Sequence, residues 1–274
     1  MTYSILWHRL LPLYDPNEAQ GIVRWVLDVA FGMSLTDIVC GKVSDLSRDD
    51  ADRLEKMMQR LEKGEPVQYV LGACEFLGRT FHVEPGVLIP RPETAELASL
   101  ILQEALPGQS ALDIGTGSGC IAVSLALEGL QVTAMDISAD ALRIAGGNAS
   151  MLQADVELVQ EDILHPARRE RQWDIIVSNP PYIRHMEAGD MEATVLEHEP
   201  HTALFVPDSD PLLFYRAIGQ YAWEHLGSQG KLWFEINREF HRETCQLLEG
   251  FGFTGIEARK DFYDNYRFVK ATRP

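Results

Sequence analysis

Ser178-Asn179-Pro180-Pro181-Tyr182 directly follows the apolar run Trp173-Asp174-Ile175-Ile176-Val177. An Asn-Pro-Pro-aromatic turn at the carboxyl end of a buried strand can hold a planar NH2 group. The Asn179 side-chain oxygen and the Pro180 backbone carbonyl can both accept hydrogen bonds from one amino group. Proline fixes φ and lacks an N–H, so these acceptors are rigid and face no competing donor. The Tyr182 ring offers a flat face for stacking. A carboxamide or the exocyclic amine of a base fits such a turn. Both nitrogens are poor nucleophiles and must be positioned before they react.

A second motif lies upstream. Ala111-Leu112-Asp113-Ile114 runs into Gly115-Thr116-Gly117-Ser118-Gly119, and an apolar helix follows from Cys120. Strand, glycine turn and helix in this order open a dinucleotide-type α/β unit. The spacing is Gly-x-Gly-x-Gly, which differs from the Gly-x-Gly-x-x-Gly of a pyrophosphate site. Asp136 ends the next strand, Gln131 to Met135, about 20 residues beyond the loop, where an acid would bind ribose hydroxyls.

Positioning these motifs requires an alternating sheet. The strands are expected at 110–114, 131–136, 156–160, 173–178 and 230–236, with helices between them, including Ala95 to Ala105, Pro211 to Leu226 and Glu239 to Leu248. That alternation implies a parallel sheet with right-handed crossovers. Gly255 to Lys260 and Tyr266 to Ala271 are two strands joined by a short loop, so one of them runs antiparallel. The fold class is therefore α/β: a doubly wound, mostly parallel seven-stranded sheet with a C-terminal antiparallel hairpin, plus a small all-helical N-terminal domain. Beside a Gly-x-Gly-x-Gly loop, such a sheet points to an S-adenosylmethionine-dependent methyltransferase.

Residues 1–73 are read as the helical domain, 74–90 as a linker with a hairpin over Glu75 to Val83, and 91–274 as the catalytic domain. Gly21 to Phe31 and Asp49 to Leu61 carry apolar residues at helical spacing, and Ser47 is placed to cap the second. Leu54, Met57, Met58 and Leu61 form a stripe that reads as core.

The 274 residues carry a formal net charge of −17, which suits a soluble chain and argues against tracking a phosphate backbone. Cys40, Cys74, Cys120 and Cys245 are isolated, so neither a disulfide framework nor a zinc ribbon is indicated. No apolar run reaches the roughly 18 residues of a membrane span, and the first residues do not read as a signal peptide. A cytoplasmic location is the expectation. His185, His198 and His201 stand among many acids, which reads as an acidic, solvated segment flanking the turn, with no metal expected.

The chain as a whole resembles the peptide chain release factor glutamine N5-methyltransferases. Pro66-Val67-Gln68-Tyr69, Gly72, Glu75-Phe76, Gly78, Phe81 and Val83 are similar to the family's linker. Leu88-Ile89-Pro90-Arg91-Pro92-Glu93-Thr94 resembles its signature ahead of the catalytic domain, and Asn179-Pro180-Pro181-Tyr182-Ile183 its active-site turn. Glu199-Pro200, Ala203-Leu204, Phe214-Tyr215-Arg216, and Asp261, Asn265 and Arg267 resemble later blocks. Three positions depart: Asn237 after Glu235-Ile236 where Gly is frequent, Tyr263 where Gly is usual, and Ile163 where some members place a Trp against the adenine.

The resemblance implies methylation of the glutamine side-chain nitrogen in the Gly-Gly-Gln motif of class I release factors, with S-adenosylmethionine as donor and the helical domain engaging the factor. It places Asn179, Pro180 and Tyr182 in catalysis and Asn179, Pro180, Pro181 and Tyr182 around the substrate. Gly115, Thr116, Gly117, Ser118, Gly119, Asp136, Asp162, Ile163 and Asn179 are expected at the cofactor, with Asp162 and Ile163 lining the adenine and Arg91 to Thr94 closing over it. Neither membrane nor direct nucleic-acid binding is expected. The competing readings are a DNA adenine-N6 or cytosine-N4 methyltransferase, which uses the same turn on a flipped base, a methyltransferase of another protein or of a small molecule, and a non-catalytic binding protein that keeps the fold as a scaffold.

Overall fold

The computed structural model describes every residue except 168 and 169, together with the backbone but not the side chain of residue 190. The chain divides into two compact units, Met1–Ala73 with Glu192–His198, and Cys74–Met191 with Glu199–Pro274.

In the first unit, helices span Tyr3–His8, Pro16–Phe31, Leu35–Val39, Arg48–Leu61 and Val67–Leu71. Their starts are set by side chains that satisfy orphan N–H groups. Asp15 accepts from the N–H of Asn17 and of Glu18, and Ser34 and Ser47 accept from Asp37 and Asp50. The apolar stripes meet in one core containing Leu6, Leu10, Val23, Leu27, Leu54, Met58 and Leu61. Met57 packs only at its edge. Arg9 is held between Glu55 and Glu62 at 2.7 and 2.6 Å.

A two-stranded hairpin, Ala73–Phe76 and Arg79–His82, follows, all but its first residue in the second unit, turning at Leu77 and Gly78 with φ of 50° and 71°. The central strands are β1 (Ser110–Ile114), β2 (Gln131–Asp136), β3 (Val156–Gln160), β4 (Trp173–Ser178), β5 (Leu226–Glu235), β6 (Thr254–Lys260) and β7 (Tyr266–Thr272). They form one seven-stranded sheet in the order β6-β7-β5-β4-β1-β2-β3. β7 runs antiparallel to both β5 and β6, and the other pairings are parallel. The longer helices of this unit are α1 (Pro92–Glu104), α2 (Cys120–Leu127), α3 (Ala139–Leu152), α4 (Leu213–His225) and α5 (His241–Phe251).

Alternation along the strands builds two cores. Ala111, Ile175, Val177 and Trp233 face Leu97, Ile101 and the apolar residues of α2. Leu112, Ile114, Ile176 and Phe234 face Tyr215, Ile218 and Leu248 on the opposite side. Both faces are covered, which is why β1 and β4 read as near-continuous apolar runs. Each fully buried Leu or Ile contributes roughly 1.5–3 kcal/mol.

Several element boundaries differ from the sequence expectation by a few residues, and one of them has a structural cause. β5 begins at Leu226, pairing with Trp173, where a helix end and a turn were expected up to residue 230. The Gly-Ser-Gln-Gly run looks like a turn because it contains an irregularity: Gln229 has φ of 64°, and the β4–β5 register shifts between Trp173 and Ile175.

The strand order fixes the position of the cleft. From β1 the chain builds outward through β2 to β3, then crosses back to place β4 on the other side of β1. In open α/β sheets, ligands bind outside the carboxyl ends of the strands at this reversal. The glycine-rich turn follows β1 and the Asn-Pro-Pro-Tyr turn follows β4, so both motifs meet there.

Candidate active site

A cavity of about 400 Å³ opens at the reversal. Its volume lies within the range of small-molecule sites. Gly115, Thr116, Gly117 and Ser118 from the loop after β1, Asp136 from the end of β2, Asp162 and Ile163 from beyond β3, and Asn179, Pro180 and Pro181 from beyond β4 all line it. Pro90 and Thr94 close it from the segment leading into α1. Two residues expected at the site adjoin the cavity without lining it. Gly119 is not a lining residue; a Cβ there would stand 2.9 Å from the Cβ of Ala145, so this glycine permits α2 and α3 to approach. Tyr182 is likewise outside the lining, with its hydroxyl donating to Glu235 Oε1 at 3.1 Å.

The loop after β1 is held by main-chain and side-chain bonds. The N–H groups of Gly115 and Thr116 donate to the Met135 carbonyl at 2.8 and 3.1 Å. Gly117 N–H donates to Asp136 Oδ2, and Ser138 N–H to Asp136 Oδ1, both at 2.9 Å. Burial raises the pKa of Asp136, and these backbone bonds oppose that rise. Gly115 and Gly117 have φ of 74° and 55°, and a Cβ at either would meet nothing within 4 Å. Their backbones are open to a ligand. Asn148 of α3, fully buried, donates to the Ser118 carbonyl at 2.8 Å while pairing with both backbone groups of His82. It ties the loop to the hairpin, and nothing in its sequence context marks it.

Asp113, in β1 two residues before Gly115, is buried and accepts from the Thr116 hydroxyl at 2.6 Å; burial pushes its carboxyl up to about 7. Asp162 accepts from Leu164 N–H and pairs with the His165 ring, each at 2.9 Å, and the His165 bond lowers its pKa. Ile163 is 9% exposed and supplies an apolar wall.

Around the Asn-Pro-Pro-Tyr turn, Ser178 Oγ donates to the Ile114 carbonyl at 2.6 Å, locking the ends of β4 and β1 together. Asn179 Nδ2 donates to Thr94 Oγ1 at 3.1 Å, and Thr94 Oγ1 donates to Glu235 Oε2 at 2.7 Å. Asn237 donates to the Tyr182 carbonyl at 3.2 Å, so the departure at this position gives the turn an anchor that a glycine lacks.

The flanking segment mixes exposed and half-buried residues, and Glu199 most clearly corrects the expectation of a solvated acidic stretch. It is 4% exposed, accepts from Ile89 N–H at 3.1 Å and pairs with Arg91 at 2.5 Å, pinning the segment before α1. The His185 and His201 rings pack on Phe205 with centroids 4.9 and 5.3 Å away. Among the described residues, no group of three His, Cys, Asp or Glu side chains could hold a metal ion, and no helix is long and apolar enough to cross a membrane.

A cationic cofactor carrying a ribose and a base fits these residues. The glycine backbones allow close approach, Asp136 has lone pairs left for hydroxyls, Ile163 and Ile137 offer apolar walls, and Glu161 and Asp162 add negative charge at the rim.

Comparison with known proteins points the same way. Residues 9–72 match the family model of the PrmC N-terminal domain, and residues 79–203 that of the Methyltransferase small domain. A release factor glutamine methyltransferase of Bacteroides thetaiotaomicron is 43% identical over 267 residues, covering 96% of each chain. One from Flavobacterium psychrophilum is 40% identical over 270 residues, covering 95% of this chain and 94% of that relative. Among solved structures, the Thermus thermophilus 16S rRNA N2 G1207 methyltransferase in complex with AdoMet and guanosine superposes with a TM-score of 0.55 at 20% identity, over 74% of this chain and 50% of that one. This last likeness is one of fold.

Proposed function

Because the chain belongs to the release factor glutamine methyltransferase family, we propose that it methylates the side-chain nitrogen (N5) of the glutamine in the Gly-Gly-Gln motif of class I peptide chain release factors, in the cytoplasm. The observation that carries the assignment of roles is the placement of Asn179 and Pro180 in one cavity with Gly115, Gly117 and Asp136.

S-adenosylmethionine, when bound, supplies a methyl group on a positively charged sulfur. Among the residues that line the cavity, Gly115 to Ser118 would cradle it with their backbone, Asp136 would accept from the ribose hydroxyls, and Asp162 and Ile163 would border the adenine. The Asn179 side-chain oxygen and the Pro180 carbonyl each accept one N–H of the substrate carboxamide. A carboxamide nitrogen has its lone pair delocalised into the carbonyl and attacks badly in water. Gripping both N–H groups orients that lone pair, and orientation can supply up to roughly 7–11 kcal/mol. The same acceptors stabilise positive charge that grows on nitrogen during transfer, an interaction strongest in the transition state. The nitrogen then sheds its proton readily, so no strong base is required. Tyr182, tethered through its hydroxyl, backs the turn with its ring. The helical unit, matched over residues 9–72, engages the release factor.

The test is incubation with labelled S-adenosylmethionine and a purified class I release factor, followed by mass mapping. A single methyl on the Gly-Gly-Gln glutamine is expected, falling at least ~100-fold in kcat/KM for Asn179→Ala, about 2.7 kcal/mol, with cofactor affinity retained. A mark on another residue, or on duplex DNA, would overturn the assignment.

A further inference from the structure

Two buried groups, Thr94 and Glu235, link the active-site turn to the end of β5. Glu235 closes β5 and is 2% exposed; Thr94, in the first turn of α1, is 4% exposed. Thr94 Oγ1 lies 2.7 Å from Glu235 Oε2 and 3.1 Å from Asn179 Nδ2, and the Tyr182 hydroxyl lies 3.1 Å from Glu235 Oε1. An ionised carboxylate only accepts hydrogen bonds, and a threonine hydroxyl has a single proton to give. In the shorter of its two contacts Thr94 donates to Glu235, so the side of Oγ1 facing Asn179 carries lone pairs. Only the NH2 end of the Asn179 carboxamide can satisfy them. The oxygen end is left to face the cavity.

We propose that Thr94 is a positioning residue that fixes which end of the Asn179 carboxamide faces the substrate, with Glu235 setting the direction of its hydroxyl. The proposal rests on the role given above to Asn179. A flipped carboxamide would set its oxygen against the Thr94 oxygen and present a donor to an amine that needs an acceptor. Burial raises the pKa of Glu235, while the Thr94 hydrogen bond and the charge of Arg267 favour its ionised form. Arg267 is itself held by Asp261, with Nε 3.2 Å from Oδ2. The Gly-Gly-Gln glutamine is thus read by an acceptor whose polarity is set two hydrogen bonds away, on a different strand.

A double-mutant cycle on the full-length enzyme tests this, with release-factor methylation as the rate readout and calorimetry with S-adenosylhomocysteine as the binding readout. Thr94→Val keeps the shape and removes the hydroxyl. It should lower kcat/KM for the release factor about 10–100-fold, with cofactor-product affinity within about 3-fold. Thr94→Ser should stay within about 3-fold of the unsubstituted enzyme. In an Asn179→Ala background, Thr94→Val should cost no more than about 2-fold further, because the group it positions is gone. Should Thr94→Val fail to fold, Thr94→Ala runs the same cycle. It removes the hydroxyl without adding bulk, and it should show the same loss and the same non-additivity. Full activity in Thr94→Val, or losses that multiply with Asn179→Ala, would overturn the positioning role alone. Normal turnover by Asn179→Ala would overturn both this role and the clamp on which it rests.

Discussion

The backbone N–H of Gly117 donates to the carboxylate of Asp136 at 2.9 Å, so the residue expected to hold the ribose also holds the loop that would cradle the rest of the cofactor. Its second oxygen accepts from Ser138 N–H at 2.9 Å. Two bonds use about half of a carboxylate's lone pairs, leaving acceptors for two hydroxyls. An asparagine here must turn its NH2 toward one of two backbone donors. Asp136→Asn is therefore expected to weaken S-adenosylmethionine binding about 10–100-fold, or about 1.4–2.7 kcal/mol. Turnover at saturating cofactor should stay within about 3-fold. Titration calorimetry decides it: unchanged affinity would remove Asp136 from the cofactor site.

The glycines of the loop after β1 separate into two kinds, and substitution should show it. Gly119 has φ of +78°, and an added Cβ would lie 2.9 Å from the Ala145 Cβ and 3.1 Å from its Cα. Gly119→Ala combines backbone strain with a clash against a helix that cannot easily retreat, and should cost about 2–4 kcal/mol of stability. Gly117 has φ of +55° with open space beside it. Gly117→Ala should cost only about 1 kcal/mol in urea unfolding while lowering cofactor affinity at least about 10-fold, since its methyl enters the cavity. Equal stability losses in the two variants would contradict the division.

Much of this was legible in the sequence because it is local. Gln131 to Asp136 and Trp173 to Ser178 are apolar, β-rich runs bounded by turns, and both form the expected strands. The two motifs follow strands, so fixing the sheet order fixes the cleft. What stayed hidden is long-range pairing. Thr94 and Glu235 are 141 residues apart, and Arg91 and Glu199 are 108 apart. Hydrophobic period says which face a residue takes, and it says nothing about which polar group from another element arrives beside it. Glu199 read as one more acid in an acidic stretch, although its burial and its two partners come from the segment before α1. The true start of β5 was obscured for a related reason. Glycines inside a strand irregularity look the same in sequence as glycines in a turn.

Glu104, at the end of α1, gathers Lys270 at 2.5 Å, Lys231 at 2.8 Å and Arg259 at 3.2 Å, and so fastens that helix to β5, β6 and β7. Burial would raise its pKa from 4.5, but the Lys231 and Lys270 bonds win and depress it to about 2. A carboxyl whose pKa is lower in the folded chain stabilises that state above the unfolded value, and the stabilisation is lost as pH falls through the folded value. The window here is pH 4.5 down to about 2. The side chain is 26% exposed, so solvent screening trims the effect. Glu104→Gln should therefore lower unfolding free energy by about 1–3 kcal/mol at pH 7, with methylation of the release factor little changed. Urea unfolding of both proteins at pH 7 and at pH 3.5 checks the sign. The gap between them must narrow at the lower pH, and a gap that widens there would show that the three cations do not stabilise the ionised carboxyl.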